Sequence, residues 1–163
     1  MGVQIGVIGA GVCGEADKSL AKKVGREIAK RGGILVCGGL GGVMEAASQG
    51  AKEAGGSTLG LLPGTDKGEA NPWIDIAVVT GLGHARNVLL AQTSEALIAL
   101  DGEYGTLSEI ALGLKLGKPV VQLESRWKIE GVKEAKNPEM AVEMAFSLIK
   151  ANPKTYIQKR KNE

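Results

Sequence analysis

"VQIGVIGAGVCGEADKSLAKKVGREIAKRGGILVCGG" (residues 3–39) opens on a strand-length apolar run, breaks at glycines, and closes on a second apolar run. Residues 3–9 read as a strand apolar enough to be buried on both faces. Residues 15–31 carry helical periodicity, with Ala16, Leu20, Ala21, Val24 and Ile28 on one side and Lys22, Lys23, Arg26 and Lys30 on the other. Gly32 and Gly33 stop that helix, and "ILVC" (34–37) is the next strand. A strand, a crossover helix and a second apolar strand make a β-α-β unit. Such a unit implies parallel strands joined by a right-handed connection.

The alternation continues outward. The sequence predicts a small-residue helix over 42–54, strands over 57–63 and 74–79, a helix over 83–94 and a strand over 95–100. A helix over 106–116, a strand over 119–123 and a short edge strand within 127–137 follow. The last helix has Asn137 as N-cap and Pro138 at its first position, with Met140, Met144 and Leu148 facing inward. The fold class expected is α/β: a Rossmann-like doubly wound parallel sheet with helices on both faces, in a single domain over 1–153. The polar, basic tail 154–163 is expected to fray.

Composition narrows the function. A formal net charge of +2 over 163 residues gives no electrostatic footprint for nucleic acid, and 3% aromatic residues leave little for base stacking. No uncharged apolar run reaches membrane-spanning length, and the first residues lack the basic segment of a signal peptide. Cys13 and Cys37 lie outside metal or redox spacings and read as small thiols of a reducing cytoplasm. Glycine is the outlier, 25 residues, about twice the usual share. The glycines gather where strands turn into helices. In a doubly wound sheet that is the carboxyl edge, where ligands bind.

Four junctions stand there. "GAGVCG" (9–14) is a literal G-x-G-x-x-G, with Gly9 and Gly11 at the end of the first strand. A dinucleotide site also wants an acid at the end of strand two, and here Cys37 is followed by Gly38 and Gly39. A tight turn is therefore the preferred reading over a nicotinamide site. "GGLGGVMEA" (38–46) leads glycines Gly38, Gly39, Gly41 and Gly42 into a helix beginning Val43, Met44, Glu45, a start suited to anions through unhindered N–H groups. It lacks the Lys-Ser/Thr of a P-loop. In "TGLGHARN" (80–87), Arg86 and Asn87 fall at the top of a helix, where a guanidinium can grip a phosphate. His84 is the single histidine, so neither a histidine metal site nor a conventional triad is available. In "LDGEYGTLSEIALGLKLGKPVV" (100–121), Thr106 and Glu109 have the spacing of a capping box. They also fit a ligand site with Gly102, Tyr104 and Gly105.

Together "GGLGGVMEAASQGA", "ARN" and "GEYGTLSEIALGLKLGKPVV" resemble the Lonely Guy-like superfamily, nearest its molybdenum cofactor carrier protein branch. These Rossmann-like proteins were long mislabelled as lysine decarboxylases. That chemistry needs pyridoxal phosphate on a lysine, and no lysine here is marked for it. Catalytic members carry P-G-G-x-G-T-x-x-E and an Arg-Lys pair, and cleave the N-glycosidic bond of nucleoside 5′-monophosphates. Gly102, Gly105, Thr106, Glu109 and Arg86 match those patterns; Asp101, Glu103 and Asn87 depart from them.

The resemblance implies a cytoplasmic, homo-oligomeric binding protein. Its cargo would be a phosphorylated small molecule, a nucleotide or molybdenum cofactor of pterin type, with no obligatory cofactor. The alternative it implies is a phosphoribohydrolase, with Glu109 and Arg86 as catalytic residues. Asp101 and Glu103 are expected either to repel a phosphate or to bridge to it through Mg²⁺.

Overall fold

The computed structural model describes residues 2–151; the tail predicted over 154–163 lies outside them. Among the described residues, seven strands form one sheet in which every neighbouring pair is parallel. They are β1 (Gln4–Gly9), β2 (Ile34–Cys37), β3 (Ser57–Leu62), β4 (Ile76–Val79), β5 (Ala96–Leu100), β6 (Val120–Leu123) and β7 (Lys133–Glu134). The spatial order is β4-β3-β2-β1-β5-β6-β7. Consecutive strands step outward from β1 to one edge, and then the chain crosses back to lay β5 on the other side. The topological switch therefore falls between β1 and β5, with Gly9 opposite Leu100 in register.

Five α-helices among the described residues cover the sheet: α1 (Glu15–Lys30), α2 (Val43–Glu53), α3 (Arg86–Thr93), α4 (Tyr104–Lys115) and α5 (Pro138–Ala151). Alternating strand side chains divide the core in two. Ile5, Val7, Ile98 and Val121 point to α1, α2 and α5; Ile8, Leu97, Ala99 and Val120 point to α3 and α4. The expected doubly wound architecture with helices on both faces is what forms, because the inner strands are apolar on both sides.

Helix α1 crosses α2 at glycines. A β-carbon at Gly25 would lie 1.9 Å from the Ala47 carbonyl oxygen, and one at Gly50 would lie 1.9 Å from that of Lys22. Backbone meets backbone there, so no side chain can move aside. We expect Gly50→Ala to cost about 1–3 kcal/mol or more, since overpacking cannot be relieved by a rotamer change. Urea unfolding measures it, and an unchanged midpoint would contradict the close crossing.

One local expectation is corrected. In α5 the buried face is Ala141, Val142 and Ala145, with Met144 and Leu148 partly buried against the core as expected, but Met140 is 37% exposed. Small residues allow the helix to sit close to the sheet and leave Met140 at its margin. The N-cap is as expected: the Asn137 side-chain oxygen accepts from the Met140 N–H at 2.8 Å. Strand β4 forms, but as a sheet edge, so its apolar residues are not enclosed, and Ile76 is 62% exposed.

Candidate functional site

A cavity of about 510 Å³ opens at the carboxyl edge of the sheet, at the switch between β1 and β5. Its wall takes Gly9 and Gly11 from the turn after β1, Gly38 from the end of β2, Leu100 from the end of β5, and Gly102, Gly105 and Thr106 from the turn into α4. Val43 and Met44 bring the start of α2. Arg86, Asn87 and Glu109 complete the buried part, and His84, Asp17, Cys13, Asp101, Glu103 and Arg126 also line it.

The glycine turns interlock to make this wall. Gly42 adopts φ +63°, and a β-carbon there would lie 2.3 Å from the Ala10 carbonyl oxygen. Only glycine combines that left-handed backbone with so close an approach. The same carbonyl accepts the Val43 N–H at 3.0 Å, locking the start of α2 to the turn after β1. Gly41 and Gly42 thus shape the cavity without lining it. Gly39, at φ +77°, faces Leu62 and Gly60 on the adjoining strand instead. Glu45 faces a separate groove with Lys18 and Lys22, and Tyr104 is exposed and packs on Trp127, ring centroids 5.9 Å apart. Of the residues singled out from sequence, Gly39, Gly41, Gly42, Glu45 and Tyr104 therefore lie off the cavity wall.

Thr106 and Glu109 do not form a capping box. Helix α4 begins two residues earlier than expected, with Glu103 extended at its N-cap and no side chain capping it. Thr106 then sits inside the first turn, where its hydroxyl rests against the α-carbon of Gly102. Glu109 is one turn further on, 7% exposed, and its carboxyl has no hydrogen-bond partner among the described residues. Burial pushes it up to about 7, and the Arg86 charge only partly opposes that. The first N–H groups of α2 and α4 lack intrahelical acceptors by construction. Both sets start at this cavity.

Arg86 is 8% exposed. It donates from Nη1 to the Leu61 carbonyl on β3, and its buried Nε has no partner among the described residues. Burial lowers its proton affinity, and Glu109 and Cys37 oppose the change. A β-carbon at Gly38 would fall 2.5 Å from Nη1, so the bare backbone there makes room for the guanidinium. Asn87 donates to Ser108 Oγ at 3.1 Å and ties α3 to α4.

Arg126 escaped the sequence reading. Its Nε and Nη2 donate to the two oxygens of Asp101 at 3.1 and 3.0 Å, and this pairing holds the Asp101 carboxyl below the usual range. A phosphate in the cavity would therefore meet Asp101 as half of an ion pair rather than as a lone charge. Among the described residues there is no cluster of three or more histidine, cysteine or acidic side chains that could hold a metal ion. No described helix is long and apolar enough to cross a membrane.

Residues 2–155 match the SLOG cluster4 family. The chain belongs to that family. An uncharacterized protein of Archaeoglobus fulgidus is 48% identical over 145 residues, 89% of this chain and 95% of its own length. The molybdenum cofactor binding protein of Rippkaea orientalis superposes with a TM-score of 0.87 at 39% identity, covering 91% of this chain and 98% of that one. The molybdenum cofactor carrier protein of Chlamydomonas reinhardtii does so at 0.82 and 38%, over 91% and 99%. A probable cytokinin riboside 5′-monophosphate phosphoribohydrolase of Oryza sativa subsp. japonica is 32% identical over 96 residues, 57% of this chain but only 42% of that protein. The SLOG cluster4 chain thus falls in the Lonely Guy-like superfamily, on the molybdenum cofactor carrier branch, as its motifs indicated.

Proposed function

We propose that this SLOG cluster4 protein is a cytoplasmic binding protein for a phosphorylated, nucleotide-like or pterin-type ligand, with the phosphate held between the starts of α2 and α4 and against Arg86. One observation carries the reading: a buried guanidinium with an unpartnered Nε on the same cavity wall as two helix N-termini, at the strand switch. An orphaned buried donor costs stability unless a ligand or water satisfies it. The cavity, about 510 Å³, is of a size that takes a small-molecule ligand. Full-length likeness to two molybdenum cofactor proteins supports a pterin-type cargo. Native mass spectrometry of the purified protein is expected to find such a ligand. Crystals soaked in AMP are expected to show the phosphate at Arg86; anion density elsewhere, with this cleft empty, would defeat the proposal.

A second reading rests on Glu109. A buried carboxyl that caps nothing and titrates near neutrality suits the hydrolysis of a nucleoside 5′-monophosphate. Glu109 would stabilise oxocarbenium charge or orient water, and Arg86 would hold the phosphate or leaving group. Free adenine released from AMP would decide for this reading. We expect the protein to assemble as a homo-oligomer, which would cover the exposed apolar side chains of edge strand β4.

A further inference from the structure

Arg126 and Arg86 lie on one cavity wall, but their settings differ. Arg86 is buried and fixed to β3, whereas the Arg126 side chain is 58% exposed and reaches the wall from the loop after β6. Its pairing with Asp101 is bidentate, so the guanidinium plane is set while Nη1 keeps no acceptor among the described residues. The loop that carries it is fastened beside it, since Trp127 Nε1 donates to the Gly102 carbonyl at 3.2 Å. Asp101 adopts a left-handed backbone, φ +36°, at the end of β5. The rim also bears Asp17 and Glu103. An anion approaching the rim would meet those carboxylates, and among the described residues Arg126 is the one rim arginine or lysine to oppose them.

We propose that Arg126, oriented by Asp101, is a second anion-binding group of this cavity, so that the site prefers ligands with two anionic groups, such as a nucleoside diphosphate, over those with one. The inference rests on the reading that the first phosphate is held at Arg86. Asp101 is a positioning residue in this scheme, and Arg126 the residue that touches ligand.

Calorimetric titration with AMP and ADP, free of divalent cations, tests it. The wild type is expected to bind ADP about tenfold more tightly than AMP, in keeping with one added charge-assisted contact. The Asp101→Asn/Arg126→Gln double variant removes both charges together and leaves the net charge of the rim unchanged. It is expected to weaken ADP binding more than AMP binding, so that the ADP preference falls to about twofold or less, an order set by the same single contact. A merely structural pair would move both affinities alike and leave their ratio intact. Arg126→Lys, which keeps the charge but not the bidentate geometry, is expected to lose at least half of the preference, and it serves if the double variant does not fold. A wild type that binds AMP but shows no ADP preference, or a preference that survives in the variants, overturns the role of Arg126 alone. A wild type that binds neither nucleotide overturns the phosphate site, and this inference with it.

Discussion

Glu109→Gln is expected to make the protein more stable at pH 8, by about 3 kcal/mol, and to change it by less than about 1 kcal/mol at pH 5. The carboxyl titrates near 7 in the folded chain, against an ordinary value of 4.5, chiefly because it is desolvated. A raised carboxylate binds its proton more tightly when folded. Its favourable contribution is therefore fully present below about 4.5 and is lost as pH rises through 7. Above that pH the native state carries a buried charge that the unfolded chain would hydrate. Glutamine has nearly the same shape and no charge to bury. No capping bond is lost, because Glu109 caps nothing. Arg86 works against the effect, since it favours the ionised form, but the rise to about 7 already includes its attraction. Urea midpoints of both proteins at the two pH values measure the result. A variant destabilised at pH 8 would show that the ionised carboxylate is well satisfied in the fold. If the protein hydrolyses AMP, the same substitution should lower the rate at least a hundredfold, the order expected when an essential acid–base or charge-stabilising group is removed. Gained stability with lost activity would mark Glu109 as a functional residue retained at a cost to the fold.

The sheet was legible because its inner strands are apolar throughout and because glycines mark their ends. Those two signals fix element type and chain order, whereas the spatial order that puts the switch between β1 and β5 is seen only in the structure. What periodicity could not supply is where a strand sits in the sheet. "IDIAVV" reads as a strand with nothing to mark its place, and β4 lies at the edge, with Ile76 and Val78 partly in solvent. The candidate site divides in the same way. Gly9, Gly38, Arg86, Gly105 and Glu109 were found because ligands gather at carboxyl ends of strands, and all five line one cavity. The role of Glu109 was not decidable from T-x-x-E, since a capping box and a ligand site have identical spacing. The start of α4 separates them, and that start depends on Gly102 at φ +111° and an extended Glu103. Arg126 follows β6 and so lies on the ligand-bearing edge, a position that could have drawn notice. Its partner Asp101 is 25 residues away, and no local pattern distinguishes it from neighbouring Lys128.

Arg86→Gln is expected to weaken AMP or phosphate binding by at least a hundredfold, about 3 kcal/mol or more, the range seen when one partner of a buried charge pair is removed. The loss should be larger than from any one glycine of the wall, because the guanidinium is the single buried formal cation among the described residues of that wall. Helix N-termini offer only about half a charge each, and they need a dry, fixed counterpart to hold a phosphate. The substitution also reaches Glu109. Arg86 is the charge that holds the Glu109 titration down, so removing it should move that titration above its wild-type value near 7. The two effects have opposite consequences for anion binding. Losing the guanidinium removes attraction, whereas a Glu109 that stays protonated removes repulsion at pH 7. The first must win, since a protonated carboxyl adds at most a hydrogen-bond donor where a charge was lost. Affinity measured at pH 6 and pH 8 separates the contributions. In the wild type, AMP affinity should fall between those values as Glu109 ionises. In the variant it should be weak at both, with a shallower fall. Tight binding that survives Arg86→Gln would place the phosphate away from this guanidinium, and the cavity would then need a different occupant.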